Sequence, residues 1–384
     1  MAGDGLVADE DWAVVAALLP AGWREQAKAT GALVRNRNFS GAHTLLRVLM
    51  IHLVDGCSLR ETAVRATQGG LARVSDVALL KRLRACGEWF RWIAGGLMRQ
   101  YVSPQPQVLF PGVRVRLIDG SSVSEPGATG SSWRLHYSVC LPALQCDEVH
   151  VTEPAIGESF KRFAVAPCDL LVGDRAYATR AGIRHVVDSG GHVLVRLNLD
   201  NVPLEEEDAT RFDILAKLRT LGPASMGDWP VWLSHPQGRI AARLCGIRKS
   251  AQAAERAREK LLREGARKRR SIKPETLEAA GYLFVLTTLP AHFTTSTILE
   301  LYRGRWQIEL VFKRLKSLVG IGHLKKSDVQ GAKAWLQGKL LVAFLIEALN
   351  SAGERFFPWG YPIAQTAAAQ PLPLARDLAD ATPA

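Results

Sequence analysis

From Cys168 to Gly173 the chain reads Cys-Asp-Leu-Leu-Val-Gly and then meets Asp174, an apolar run that stops on a charge. Apolar side chains pointing both ways suit a strand covered on both faces, as in parallel or mixed α/β sheets. The helical pattern from Arg180 to Asp188 supplies one of the covers. A carboxylate at the end of such a strand sits where open α/β sheets place their sites. For Asp174 alone, a turn or helix cap is the better reading.

A second acid changes the balance. Val113-Arg-Val-Arg-Leu-Ile-Asp119 alternates like a half-buried strand, so Asp119 shares a face with Val113, Val115 and Leu117 before Gly120-Ser121-Ser122 is expected to turn the chain. A carboxylate pointing inward needs a partner. The third acid is Glu309, within Tyr302-x2-Arg305-x3-Glu309-x6-Lys316, whose offsets are 3, 7 and 14. On a single helix these offsets give a stripe roughly 60° wide and about 21 Å long, one carboxylate in a row of cations and a phenol. Leu301, Ile308, Phe312, Leu315 and Val319 form an apolar stripe beside it, so the helix packs and the polar row borders a cleft. Taken alone, Arg305 and Glu309 are an i,i+4 pair worth only about 0.2–0.5 kcal/mol on a solvated helix.

The order Asp119, Asp174, Glu309, with 54 and 134 residues intervening, resembles the DDE transposases of bacterial insertion sequences. The Tyr302, Arg305, Glu309 and Lys316 spacing is similar to the Tyr-Arg-Glu-Lys signature of insertion sequence family four, which includes hairpin-forming cut-and-paste enzymes. Ile118-Asp-Gly-Ser-Ser, Val172-Gly-Asp-Arg-Ala-Tyr and the basic stretch before Leu283-Phe-Val-Leu-Thr-Thr-Leu-Pro read the same way, and the likeness spans roughly residues 40 to 350. It implies an RNase H-like fold. Only 68 residues follow Lys316, which leaves little room for a separate C-terminal dimerisation domain.

Composition agrees with a nucleic-acid partner. The 384 residues carry a net charge of +12, and charge bears on partners rather than on fold. Six cysteines without a Cys-x-x-Cys pair indicate neither a zinc module nor a disulfide framework, as in a reducing cytoplasm. The N-terminus lacks the regions of a signal peptide, and the apolar run from Leu340 to Ile346 is far short of the ~20 residues of a membrane helix. A bacterial, cytoplasmic, nucleoid-associated protein is expected.

The expected fold class is α/β: an RNase H-like catalytic core, interrupted by an insertion domain and preceded by an all-helical domain. Residues 1–106 read as the helical DNA-binding domain. Ser58-Leu-Arg-Glu61 is a capping box opening a helix that ends near Gly69-Gly70, and a second helix follows Ser75. That is a helix-turn-helix shape, with Arg60, Arg65, Arg73, Lys81, Arg82 and Arg84 available for phosphates, although a plain helical bundle reads equally well. Pro104, Pro106 and Pro111 then break the chain. Residues 107–197 and 283–350 form the catalytic domain, with strands at Val113–Ile118, Trp133–Leu141, Glu148–Thr152, Leu170–Gly173 and Val193–Leu197 and helical patches at Ser159–Val165 and Thr179–Val187. Residues 198–282 form the insertion domain, with strands at Val231–Ser234 and Ile240–Ile247 and a basic helix. Residues 351–384 are a tail.

Arg248 to Lys273 holds 11 Lys/Arg against 3 Glu. A solvated helix is the bland reading; contact of Arg256, Arg258, Lys260, Arg263, Arg267, Lys268, Arg269 and Arg270 with the DNA backbone is the favoured one. Trp229 and Trp232 are weaker candidates for stacking on an unpaired base, since Trp is more often partly buried core. His136, His150, His185 and His192 lie in or beside strands and read as structural.

Phosphodiester cleavage needs charge stabilisation at the attacking and leaving oxygens, which two Mg²⁺ ions, or Mn²⁺ as a substitute, supply from oxygen ligands. Asp119 would bridge both ions, with Asp174 and Glu309 holding one each. Tyr302, Arg305 and Lys316 would grip a phosphate near the cut, with Lys313 and Arg175 as outer candidates. The reading is a transposase that binds double-stranded transposon ends as a homodimer, cleaves them and joins the 3′-OH to target DNA. The resemblance adds a hairpin intermediate. The same acids would suit an RNase H-like nuclease without strand transfer, and a catalytically silent transposase-derived DNA-binding protein is a third reading.

Overall fold

The computed structural model describes residues 4–101, 109–124, 133–322, 324 and 328–356. The expectations for Pro104, Pro106 and the tail beyond Phe356 lie outside the described residues. Helices open the chain: α1 (Asp4–Leu18), α2 (Trp23–Ala29), α3 (Ala42–Leu53), α4 (Leu59–Gln68), α5 (Asp76–Ala85) and α6 (Gly87–Tyr101). The α4–α5 pair follows its local signals. Ser58 accepts the Glu61 N–H at 3.1 Å, Ser75 accepts that of Ala78 at 3.3 Å, and the turn between passes through Gly70 at φ 66°, a left-handed conformation that glycine adopts without strain. Leu79 and Leu83 are wholly buried, whereas Arg60, Arg73 and Lys81 face water. Arg65 pairs with Asp55 and Glu61, and Arg84 with Asp328.

The sheet begins with β1 (Arg114–Val123), β2 (Trp133–Cys140) and β3 (Gln145–Thr152), paired antiparallel in that order. A single 3₁₀ turn, Phe160–Arg162, replaces the helical patch expected over Ser159–Val165. Then come β4 (Asp169–Gly173), α7 (Arg180–Asp188) and β5 (His192–Arg196), with β4 parallel to both β1 and β5. The spatial order β3-β2-β1-β4-β5, two antiparallel ladders followed by two parallel ones, is that of an RNase H-like core.

Four more strands continue the same sheet. These are β6 (Leu204–Glu205), β7 (Met226–Leu233), β8 (Ile240–Arg248) and β9 (Tyr282–Thr287), with helices α8 (Ile214–Arg219), α9 (Ala251–Arg267) and α10 (Pro274–Ala279) among them. The full order is β3-β2-β1-β4-β5-β9-β8-β7-β6. Residues 198–282 therefore add strands to the catalytic sheet through β9, which the sequence pattern did not mark as a strand.

Helices α11 (Thr295–Arg303), α12 (Trp306–Ser317) and α13 (Val329–Phe356) close the fold. Both sheet faces are covered, which explains the apolar run in β4. Leu170 and Val172 join Val115, Leu117 and Leu194 in a core shared with the N-terminal helices and α11–α13. Leu171 joins Ile118, Val193 and Val195 in a second core with α7 and α8. Helix α13 lies along α5 and α6 and reaches β3, tying the helical layer to the sheet. Beneath the sheet, Arg116 is 1% exposed and pairs with Asp147 at 2.7 Å, Glu148 at 2.9 Å and Asp169 at 3.2 Å. Desolvation of that guanidinium is offset by the three acids together, with the Ser138 hydroxyl and the Ala164 carbonyl also accepting from it.

Candidate active site

The parallel ladders align Leu117 with Val172 and Gly173 with Val195. Continued by one or two residues, this register sets Asp119, Asp174 and Arg196 level on three neighbouring strands, ~4.8 Å apart, all on the face that α11 and α12 cover. Asp174 follows the end of β4, as expected. Asp119 does not end its strand: β1 runs on through Gly120-Ser121-Ser122, because β2 continues to pair with it as far as Val123. Only the pairing with β4 stops before Asp119, which frees that side of the strand for the site. Backbone N–H groups fix both carboxylates. Gly120 donates to Asp119 Oδ1 and Ala176 to Asp174 Oδ1, each at 2.8 Å.

The expected single helix from Leu299 to Lys316 is two. Arg305, Gln307 and Ile308 donate to carbonyls three residues back rather than four, so the ladder tightens between α11 and α12. Gly304 allows this: a Cβ there would stand 3.1 Å from the Leu301 carbonyl oxygen. The apolar stripe is buried throughout, at Leu301, Ile308, Phe312, Leu315 and Val319. The break places Tyr302 at the end of α11, Glu309 in the first turn of α12 and Arg305 between them.

Arg305 ties the acids together. Its Nη1 donates to Asp119 Oδ2 at 3.4 Å and its Nη2 to Glu309 Oε1. The carboxyl groups of Asp119 and Glu309 are thus no more than about 8 Å apart, one guanidinium fork with a hydrogen bond on each side. Asp119 is sheltered, with a side chain 16% exposed against 40% for Glu309. Burial pushes its carboxyl up to about 7; Arg305 and the Gly120 N–H oppose this, while Asp174 and Glu158 add to it. Tyr302 is buried, and its phenol is held protonated by desolvation, with Arg305 and Arg196 facing it.

The outer cations are spread more widely. Lys313 and Lys316 are exposed and, with Glu309, Phe312 and Ser317, line a groove of about 470 Å³ along α12. Arg175 is turned to Asn198, donating to its Oδ1 at 3.1 Å. In and after α9, Arg256, Lys260, Arg263, Arg267, Lys268, Arg269 and Arg270 are exposed, while Arg258 pairs with Glu255 at 3.1 Å. Trp229 lies over Gly227 and Gly246, and Trp232 carries the Arg239 guanidinium 5.3 Å from its ring centre. His136, His150, His185 and His192 each hold a hydrogen bond within the protein.

Four groups at the site escaped the sequence reading. Arg196 closes the apolar run of β5, an odd charge that was itself the available signal. Lys249 follows β8, and its neighbours Arg196 and Arg175 are distant in sequence. Glu158 lies on Gly120, its Oε1 2.6 Å from where a Cβ would stand. Tyr177 is wholly buried near Asp119, Glu158 and Asp174, and its hydroxyl has no hydrogen-bond partner among the described residues.

Hard dications require oxygen ligands, and Asp119, Asp174 and Glu309 are donors of that kind. Their charge fits too: burial, with Asp174 and Glu158 adding to it, disfavours the charge on Asp119, and a dication beside it would favour that charge. Among the described residues no three acids close around one point, since Arg305 stands between Asp119 and Glu309.

An RNase H-like sheet with acids at adjacent strands and a third on a following helix defines a class of enzymes that act on nucleic-acid phosphodiesters. The Transposase DDE domain family matches residues 148–345, a span that includes Asp174 and Glu309 and begins after Asp119. The chain is 34% identical over 360 residues to the InsL protein of insertion sequence element IS186A from Escherichia coli K12, covering 91% of this chain and 96% of that one. It is equally similar, over 361 residues and the same shares, to the transposase for insertion sequence element IS421 of Escherichia coli. With the transposase for IS231F of Bacillus thuringiensis subsp. israelensis it shares 24% identity over 195 residues, 47% of this chain and 41% of that one. The chain belongs to the DDE transposase domain family, and its enzymatic class is DNA transposase. Use of divalent metal is general to such domains. No helix among the described residues is long and apolar enough to cross a membrane.

Proposed function

We propose that the protein cuts the ends of a mobile DNA element and joins the freed 3′-OH to target DNA, with Asp119, Asp174 and Glu309 as the metal-holding acids. The observation that carries this reading is Arg305, which contacts both Asp119, 186 residues away, and Glu309 on the next helix turn. A guanidinium held between two such acids is positioned to take a phosphate oxygen, so substrate entry would exchange a carboxylate for a phosphate on Arg305. Mg²⁺ ions, with Mn²⁺ as substitute, would supply charge stabilisation at the attacking and leaving oxygens when bound. Tyr302 orients Arg305 from the buried side, Lys316 and Lys313 meet the backbone along the α12 groove, and Arg175 meets it beyond Asp174.

Other parts of the chain supply DNA affinity. Exposed cations of α4, α5 and α9 would neutralise phosphates and release counterions without reading sequence. In this reading the active form is a homodimer on paired ends, and cleavage passes through a hairpin. The test is incubation of a duplex carrying the element's end with supercoiled target DNA and Mg²⁺. Covalently joined end–target products are expected. Cleavage without joined products would favour a nuclease, and neither product with intact binding would favour a silent DNA-binding protein.

A further inference from the structure

Beyond the acids, the row of the sheet continues with a cation. Arg196 stands level with Asp174 on the next strand, and its side chain shares the face of Leu194 toward α11. Among the described residues it forms no ion pair. The groups around it are Arg175, Tyr302, Arg305 and Asp174, three of the four cationic or neutral. Lys249 approaches from the end of β8, which runs in the same direction as β5 because both are antiparallel to β9. Its Nζ donates to the Ala280 carbonyl at 2.9 Å and also faces Arg196 and Arg175. Arg196 and Lys249 are partly buried with Arg175 exposed beside them, and gathering cations around one carboxylate is costly where they lose water. Burial and mutual repulsion lower the affinity of Arg196 and Lys249 for their protons, Lys249 to about 8. An anion would resolve that excess.

We propose that Arg196, Lys249 and Arg175 form a second phosphate subsite, which holds the DNA backbone on the side of Asp174 away from Asp119 and leads it toward α9. The proposal rests on reading Asp119 and Asp174 as the cutting site. By register Cys245 is the β8 residue level with Arg196, so Lys249 stands four residues beyond the row and approaches the cations beside Asp174 from past the strand's end. The ligand is a phosphodiester, the anion that Arg and Lys bind by charge and that every nucleotide of the substrate carries. Helix α9 starts at Ala251, two residues after Lys249, so the subsite joins the acids to the most basic segment of the chain.

Binding is measured without divalent metal, where cleavage does not interfere. Two duplexes of equal length serve as probes, one with the element's end and one of unrelated sequence. Arg196→Met and Lys249→Met should each weaken binding about fivefold or more at 0.1 M salt, equally on both duplexes, and reduce the salt slope by about 0.9 per lost contact. Arg196→Lys should retain much of the affinity. Folded Met variants with unchanged affinity and slope would overturn the proposal. On the wild-type protein, amine labelling read by mass spectrometry should show Lys249 shielded by duplex, and equal labelling with and without duplex would also overturn it. Failure of the cutting-site reading is a separate result: a Glu309→Gln variant that still cleaves normally, whatever the binding assays give.

Discussion

Replacing Asp119 by Asn should stabilise the metal-free protein while abolishing cleavage. The carboxyl is raised from 3.8 to about 7 in the fold, chiefly by burial. Because the folded carboxyl holds its proton more tightly than the unfolded one, stability present below about pH 4 is lost as pH rises through about 7. Three pH units correspond to about 4 kcal/mol at and above pH 7. Asn lacks the charge but also weakens the 3.4 Å contact with Arg305, leaving a net gain of about 1–3 kcal/mol. For a chain of this size that is roughly 2–8 °C in Tm. The assay is thermal unfolding in EDTA at pH 5 and pH 8, comparing wild type with Asp119→Asn. The variant's advantage should be small at pH 5 and full at pH 8. An Asn variant less stable at pH 8 than wild type would refute the idea that this acid is held under electrostatic strain.

Arg116→Met should cost about 3–5 kcal/mol in urea unfolding, because Asp147, Glu148 and Asp169 would face one another without their shared cation; a loss below 1 kcal/mol would contradict this. Lys316→Ala, at an exposed position, should change stability by no more than about 0.5 kcal/mol yet slow single-turnover cleavage, and an unchanged rate would return Lys316 to a solvated role. Arg305→Ala should slow cleavage more than Lys316→Ala, since Arg305 touches two of the acids; equal rates would contradict the bridging role. Combined Arg263→Ala, Arg267→Ala and Lys268→Ala changes on the exposed side of α9 should weaken binding to any duplex and flatten its salt dependence, and sequence-selective loss would speak against backbone contact.

Local chemistry was legible in the sequence where it acts locally. The Ser58 and Ser75 caps, the covered strand ending at Asp174 and the buried stripe from Leu301 to Val319 all follow from side-chain periodicity and capping. What escaped depends on pairing at a distance. Gly120-Ser121-Ser122 looks like a turn, and only the β2 ladder keeps it extended. The strands after residue 198 join the catalytic sheet because β9 bridges β5 and β8, a pairing that links residues some 40 to 90 positions apart. The break at Gly304 turns on a local choice between two hydrogen-bond patterns, which a 100° periodicity does not resolve. Arg196 joins the acids only through strand register, so no spacing in the chain points to it.

The central claim is that Asp119, Asp174 and Glu309 act as one metal-holding set. It is tested most directly by single-turnover cleavage of end-bearing duplex with Glu309→Gln, alongside binding to the same duplex. The predicted result is loss of cleavage in Mg²⁺ and in Mn²⁺ with affinity within about twofold of wild type, since a metal-holding carboxylate and not a phosphate contact has been removed. Cleavage by the Gln variant at a near wild-type rate would contradict it.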